Sequence, residues 1–324
     1  MSRLLSLFLP LALVAAAAPE QGAMFEALRM QDARLATIAW RLATSNATLC
    51  REQQPGTGLV LHAIDQYAAR DADAARAVFG FPTPVAVEWV VPNSPADRAG
   101  VVQNAGLAAI AGVPLSAPTT VRDTSATRDA ALTRLAALPV RAPVALTLTD
   151  ADGSRRVSIA PVPACRSEFE VVAGRKLGAS SDGHVVQVGA RLMETYGDDD
   201  VAVVVAHELA HTILRHRARL ETAGVKWGLF GEFGRNARLF RATETEADVL
   251  GAFLLRNAGW DPQNAVRFWQ GSGKKVDPGM FRSRTHPAPK ERARIIAEAL
   301  AAMPADAPAT YPPPILDQRD AALQ

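Results

Sequence analysis

Apolar residues recur at helical spacing near the start of the chain. Leu28, Leu35, Ile38 and Leu42 share one side of residues 24–49, which predicts an amphipathic helix ending at Cys50 and packed on a neighbouring domain. Beyond Cys50 the period shortens to that of strands. "VAVEWVV" predicts a strand, "PNSPADRAG" a turn and short helix closed by Gly100, and "LAAIAGVPLS" two short strands. "TRDAALTRLAAL" predicts a helix from near Thr127, and "PVALTLTDADGSRRVSIAPV" a hairpin turning at Asp152-Gly153.

From residue 166 the pattern becomes mainly helical. A hairpin turning at Asp182-Gly183, with "HVVQV" as its second strand, precedes the short helix "ARLMETY". One long helix is expected over "DDDVAVVVAHELAHTILRHRARLE", its N-cap and first-turn charge supplied by Asp198, Asp199 and Asp200. Further helices are expected over "RATETEADVLGAFLLRNAG", ended by Gly259, over "DPQNAVRFWQGS" and over "THPAPKERARIIAEALAAM". The fold class is therefore α+β. The expected division is a leader at 1–18, an N-terminal helix at 19–49, a mixed module at 50–165, a mainly helical domain with a small β-hairpin at 166–303, and a proline-rich tail at 304–324, extended or mobile.

The 324 residues are 48% hydrophobic and 21% charged, with a net charge of only +2 and no basic block, which argues against nucleic acid as a partner. Arg3, the apolar run Leu4–Val14 and the small residues Ala16–Ala18 have the form of a secretory signal peptide cleaved near Ala18. No later segment is apolar enough to span a bilayer, so the expectation is an exported, soluble, periplasmic or secreted protein. The two cysteines, Cys50 and Cys165, are expected to pair in an oxidising compartment.

One helix contradicts its own apolar character. "VVVAHELAHTILRH" places His207, Glu208 and His211 among Val, Ala, Leu and Ile, where unpartnered imidazoles and carboxylates cost several kcal/mol. His207 and His211 are four apart, so both leave one face and can bind one Zn²⁺ per chain. Glu208 is then placed to take a proton from the attacking water: the HExxH arrangement. A third protein ligand is needed, and "ETEAD" supplies candidates. Glu244 and Asp248 share a face, so Glu244 is the expected ligand and Asp248 the expected orienter of a ligand imidazole. Glu246 points elsewhere, to the surface or a helix-end hydrogen bond, and is the alternative ligand. His216, five past His211, is expected at the surface; His62 and His184 have no motif around them.

Two resemblances follow from these motifs. "VVPNSPADRAGV", within residues 80–162, resembles a bacterial-type PDZ domain, with "FGF" at 79–81 as the candidate carboxylate-binding loop, and leaves open peptide binding and a structural or gating role. "HELAH", "ETEAD" and "THP…R", within residues 170–300, resemble the HtpX/CAAX-prenyl-protease-like zinc metallopeptidases. These are gluzincins with two His and one Glu on zinc. The transmembrane helices of the family's membrane members are missing, so the chain looks like an exported, soluble branch. The resemblance implies a zincin-type domain acting as an endopeptidase on proteins or peptides, often in envelope quality control. It also implies a His near zinc or substrate in the "THP" loop. His286 is the candidate for steadying the oxyanion, with Arg284 and Arg292 behind it, and "HVVQV" would pair with extended substrate at the cleft edge.

The stretch 223–240 carries Trp227, Phe230, Phe233 and Phe240 among glycines, which suits a lid, a peripheral membrane contact or plain packing. The competing functional class is a peptide-binding or chaperone-like protein with a latent or structural zinc site. The presence of Glu208 opposes it, because a structural site has no use for a general base.

Overall fold

A computed structural model describes residues 14–115, 123–175, 177–225, 234–276 and 285–323. The leader expected at 1–18 lies mostly outside the described residues, as do Trp227, Phe230, Phe233 and Arg284. Among the described residues no helix is long and apolar enough to cross a membrane.

The fold is α+β, with a sheet module beside a mainly helical domain. Helix α1 (Val14–Ser45) runs along both. Its N-terminal part sets Phe25 against Ile64 and Phe79, while Leu35, Ile38, Ala39 and Leu42 enter the core of the helical domain. After Cys50, β1 (Gln53–Gly56) and β2 (Leu59–Ala63) lead to α2 (Ala72–Phe79), β3 (Val85–Val90) and α3 (Pro95–Arg98). Then come β4 (Gly106–Ile110), β5 (Val113–Pro114), α4 (Ala126–Ala136) and the strands β6 (Val144–Asp150), β7 (Gly153–Ile159) and β8 (Val162–Cys165).

The module's sheet is antiparallel in the order β2-β3-β4-β6-β7, with β5 on β4. Alternation along β6 sends Val144, Leu146 and Leu148 into the core with Leu61, Val87, Leu107 and Ile159. The "NSPADRAG" stretch does what its residues suggest: the Ser94 hydroxyl accepts from the Asp97 amide and Pro95 opens α3. β1 pairs with β8 outside this sheet, and the Cys50–Cys165 disulfide joins the two ends of the module, Cα atoms 5.4 Å apart.

The "FGF" segment does not form the carboxylate-binding loop expected of it. Phe79 ends α2, and the rings of Phe79 and Phe81 stack with His62 and Tyr67, so burial of aromatic surface directs this stretch into a core. His62 lies in the same cluster, where burial pushes its pKa down to about 3 and leaves it uncharged.

The helical domain opens with β9 (Glu168–Val172), β10 (Ala179–Ser181) and β11 (Val185–Gly189), then α5 (Ala190–Thr195), α6 (Asp198–Ile213) and α7 (His216–Thr222). It closes with α8 (Gly234–Asn257), α9 (Gln263–Gln270), α10 (Gly273–Val276) and α11 (Pro289–Ala301). Two expectations change here. The cap of α6 is Gly197, without a side-chain bond, and the three aspartates occupy the first turn as favourable charge. The single long helix is in fact two, because Arg215 adopts a left-handed conformation (φ 55°, ψ 36°) that turns the chain.

The tail is not extended into solvent. Leu316 enters the main core and Leu323 packs with Leu220, Val225 and Leu239. Asn257 bonds the Tyr311 backbone, Arg319 donates to the Leu49 carbonyl, and Arg219 to the Ala321 carbonyl. Two apolar side chains with somewhere to go outweigh the prolines.

Candidate metal centre

Helices α6 and α8 form the most extensive contact between elements of the described chain. Gly251 permits it. A Cβ there would lie 3.2 Å from the His207 amide nitrogen and 3.3 Å from the Ala206 carbonyl carbon, so only a glycine lets the backbones approach this closely. Gly251 follows Glu244 and Asp248 by seven and three residues, on the same face. The close approach therefore lies one to two turns from the carboxylates that meet the histidines.

His207 Nε2 and His211 Nε2 are 3.1 Å apart; Glu244 Oε2 lies 3.3 Å from the first and Glu244 Oε1 3.4 Å from the second. These three side chains form a group able to hold a metal ion. Donors about 2.0–2.1 Å from a tetrahedral zinc sit about 3.3–3.4 Å from one another, so the spacing fits that ion. The opposite ring nitrogens are already engaged. His207 Nδ1 faces Asp248 Oδ1 at 3.1 Å, and His211 Nδ1 faces His216 Nδ1 at 2.9 Å. Nitrogen and carboxylate lone pairs are thus left converging on one point, a donor set that fits a divalent cation.

The charges agree. Burial raises the Glu244 carboxyl, but His286, His207 and His211 around it hold it well below the usual carboxylate range. Burial works against charge on His207, yet the hydrogen bonds it donates to Asp248 and Glu244 carry its pKa up to about 10 when no metal competes. His211, equally enclosed, is held well below its ordinary value by burial. Asp248 stays ionised against its burial because Arg292 donates to both of its oxygens, at 2.5 and 2.6 Å.

The cleft over this cluster is lined by Glu208, Val203, Val204, Phe240, Phe268, Trp269 and His286, with Ala179, Ser180 and Ser181 on one wall. His286 Nε2 is 3.3 Å from Glu244 and its Nδ1 is 2.9 Å from the Thr285 hydroxyl. Arg292 lines the same cleft but is engaged at its base. It is 2% exposed, paired with Asp248 and stacked 3.5 Å over the Trp269 ring. The strand at the cleft edge is not "HVVQV". Among the described residues the order β10-β11-β9 puts that strand in the middle of its sheet, and its hairpin partner β10 is an edge strand that lines the cleft. Of the aromatic stretch, Phe240 reaches the cleft.

His216 and Glu246 depart furthest from expectation. On a continuous helix His216 would face away from the metal side. The left-handed turn at Arg215 brings it back, 1% exposed, against His211. Its Nε2 meets Glu246 Oε2 at 3.0 Å, and Arg219 grips the same carboxylate at 2.5 and 3.3 Å. Nothing in the local sequence signals this break. Asp248, by contrast, sits where its spacing from Glu244 suggests, and Glu246 is not among the converging ligands. His184 remains exposed on the Asp182 turn.

Residues 233–300 match Peptidase family M48. The chain is 30% identical over 123 residues to the mitochondrial metalloendopeptidase OMA1 of Schizosaccharomyces pombe, covering 32% of this chain and 36% of that protein. It is 30% identical over 135 residues to the OMA1 metalloendopeptidase of Arabidopsis thaliana, covering 36% and 28%. The chain thus spans about a third of the length of the curated relatives it matches. A solved structure, the HtrA3 PDZ domain bound to a phage-derived ligand, aligns with 34% of this chain and 88% of its own at 22% identity and a TM-score of 0.24. The segment that matches this family supplies Glu244, Asp248 and His286, and it meets His207 and His211 of the preceding helix in the His–His–Glu cluster.

Proposed function

We propose that this protein is a zinc-dependent endopeptidase, exported by its leader, that cleaves proteins or peptides of the cell envelope in quality control. The observation that carries the reading is the convergence of His207, His211 and Glu244 beside Glu208 in one cleft. When bound, zinc supplies the Lewis acid that polarises the scissile carbonyl and brings the attacking water within reach of a carboxylate base. Glu208 takes the proton from that water and returns it to the leaving amine. His286, beside Glu244, donates to the oxyanion. The edge strand β10 pairs with an extended substrate backbone, and Val203, Val204 and Phe240 receive apolar side chains. The sheet module captures substrate chains in the groove between β2 and α4, lined by Leu59, Leu61, Leu132 and Leu135.

The test is metal analysis together with digestion of a labelled peptide, with and without chelator. Wild type is expected to hold one zinc per chain and to cleave; Glu208→Gln keeps the metal and loses hydrolysis; Glu244→Gln loses metal. A zinc-loaded wild type that binds but never cleaves peptides would replace this reading with the peptide-binding one. N-terminal sequencing of the mature protein reports whether the leader is removed near Ala18.

A further inference from the structure

The two imidazoles of the metal cluster are backed differently. His207 leans directly on a carboxylate, Asp248, held by Arg292. Among the described residues the partner of His211 Nδ1 is a second imidazole, His216, and the carboxylate and arginine come one step later, as Glu246 and Arg219. Both backings end in a buried arginine, Arg292 at 2% and Arg219 at 9% exposure.

We propose that His216 is a positioning residue for zinc binding, which with Glu246 and Arg219 sets the tautomer and the ring orientation of His211. The protons on the four side chains fix this assignment, which rests on the peptidase reading only for the identity of the metal. The Glu246 carboxylate accepts from Arg219, so against His216 Nε2, 3.0 Å away, it accepts again and that nitrogen carries a hydrogen. A neutral His216 then presents a bare Nδ1. That lone pair faces His211 Nδ1 at 2.9 Å, so the hydrogen between them belongs to His211. His211 is thereby left with a bare Nε2, the atom 3.1 Å from His207 Nε2 at the point of convergence. Four side chains form one directional chain of donors, Arg219 and His216 into Glu246 and His211 into His216, whose far end is a metal-binding lone pair.

The backbone bears a cost to make this possible. Arg215 is a non-glycine residue in the left-handed region, at roughly 1–2 kcal/mol, and without that turn α6 would continue and carry His216 away from His211. A strained residue immediately before a buried histidine is the expected sign of a geometry held for function. Second-sphere partners of this kind are worth about 10–100-fold in metal affinity or activity.

The test measures zinc affinity by competition with a chromophoric chelator, kcat and KM on a labelled peptide, and the ring-nitrogen shifts of ¹⁵N-histidine-labelled, zinc-loaded protein. His216→Phe, which keeps a ring and loses the acceptor, should weaken zinc binding about 10–100-fold and lower kcat with little change in KM. His216→Asn, whose amide oxygen can stand in for Nδ1, should recover most of that loss. In wild type the spectrum should show His211 protonated on Nδ1 and bound through Nε2, with His216 protonated on Nε2. Wild-type zinc affinity in His216→Phe, or equal losses in the Phe and Asn variants, would overturn the proposal. If His216→Phe does not fold, the wild-type spectrum decides alone: a proton on His216 Nδ1, or metal on His211 Nδ1, overturns it. Wild type that takes up zinc but cleaves no peptide defeats the peptidase reading and leaves the relay standing; wild type that takes up no zinc defeats both.

Discussion

Replacing Gly251 by alanine tests whether the close approach of α6 and α8 is what assembles the metal centre. Two effects oppose each other. Alanine in a helix interior is worth roughly 0.5–1 kcal/mol over glycine. Its methyl, however, would stand 3.2 Å from the His207 amide nitrogen and 3.3 Å from both the Ala206 carbonyl carbon and the His207 Cα. Comfortable contacts lie at about 3.5–4.0 Å, so α8 must retreat by about 0.3–0.5 Å. The neighbours are backbone, which cannot rotate aside. Overpacking of this kind costs about 1–3 kcal/mol, leaving a net destabilisation of about 0–2.5 kcal/mol after the helix gain. The site should suffer more than the fold. Ligand constellations tolerate about 0.5 Å, and a 1 Å misplacement can cost about 100-fold, so a retreat of half that predicts on the order of a 10-fold loss. Urea unfolding of the zinc-free protein reads the stability, chelator competition the zinc affinity, and peptide turnover the chemistry. Gly251→Val, which adds two further methyls, should deepen all three losses. A Gly251→Ala protein stabilised by the full helix gain, with unchanged zinc affinity and turnover, would refute the reasoning.

Asp248→Asn should lower zinc affinity or turnover about 10–100-fold with all three ligands intact, since it weakens the partner of His207 and half-strands the buried Arg292; chelator competition and kinetics measure it, and an unchanged affinity and rate would remove Asp248 from the site. The Cys50–Cys165 bond spans a sequence separation of 115, for which the chain-entropy model gives about 4–5 kcal/mol. The Cys50→Ser/Cys165→Ser double variant should therefore unfold at markedly lower urea, and coincident curves would contradict this. Burial pushes the Glu168 carboxyl up to about 7 against the opposing charge of Arg128. Between its ordinary value of 4.5 and about 7 the folded chain keeps a proton that the unfolded chain has released, so this group makes stability fall as pH rises through that window. Glu168→Gln should flatten that slope, as read by urea midpoints at pH 5 and pH 8; an unaltered difference between the two pH values would show that Glu168 does not titrate as its surroundings dictate.

Much of the centre is legible in one dimension because helical geometry converts spacing into direction. His207 and His211 at four residues, and Glu244 and Asp248 at four residues, must each share a face whatever the rest of the chain does. The apolar run around "HELAH" required that its polar groups be satisfied, and alternation along β6 was enough to say which side chains point inward. The strands, the α3 cap and the cysteine pair are local or pairwise matters of the same kind.

What the sequence could not decide depended on contacts between segments far apart in the chain. Whether β10 or β11 meets the cleft is a matter of which strand finds β9, and parallel pairing of β9 with β11 leaves β10 at the edge. The tail packs because the helical domain offers Leu316 and Leu323 a surface that composition cannot describe. His216 is the clearest case. Its direction follows from one backbone torsion at Arg215, a conformation that local propensity disfavours and that persists only where the packed structure compensates for it. Propensity and periodicity act over neighbouring residues, whereas a strained turn is selected by the free energy of the whole fold. So His207, His211, Glu244 and the Asp248 behind them could be read from spacing, while His216 and its partners Glu246 and Arg219 emerged only when α6, α7 and α8 came together.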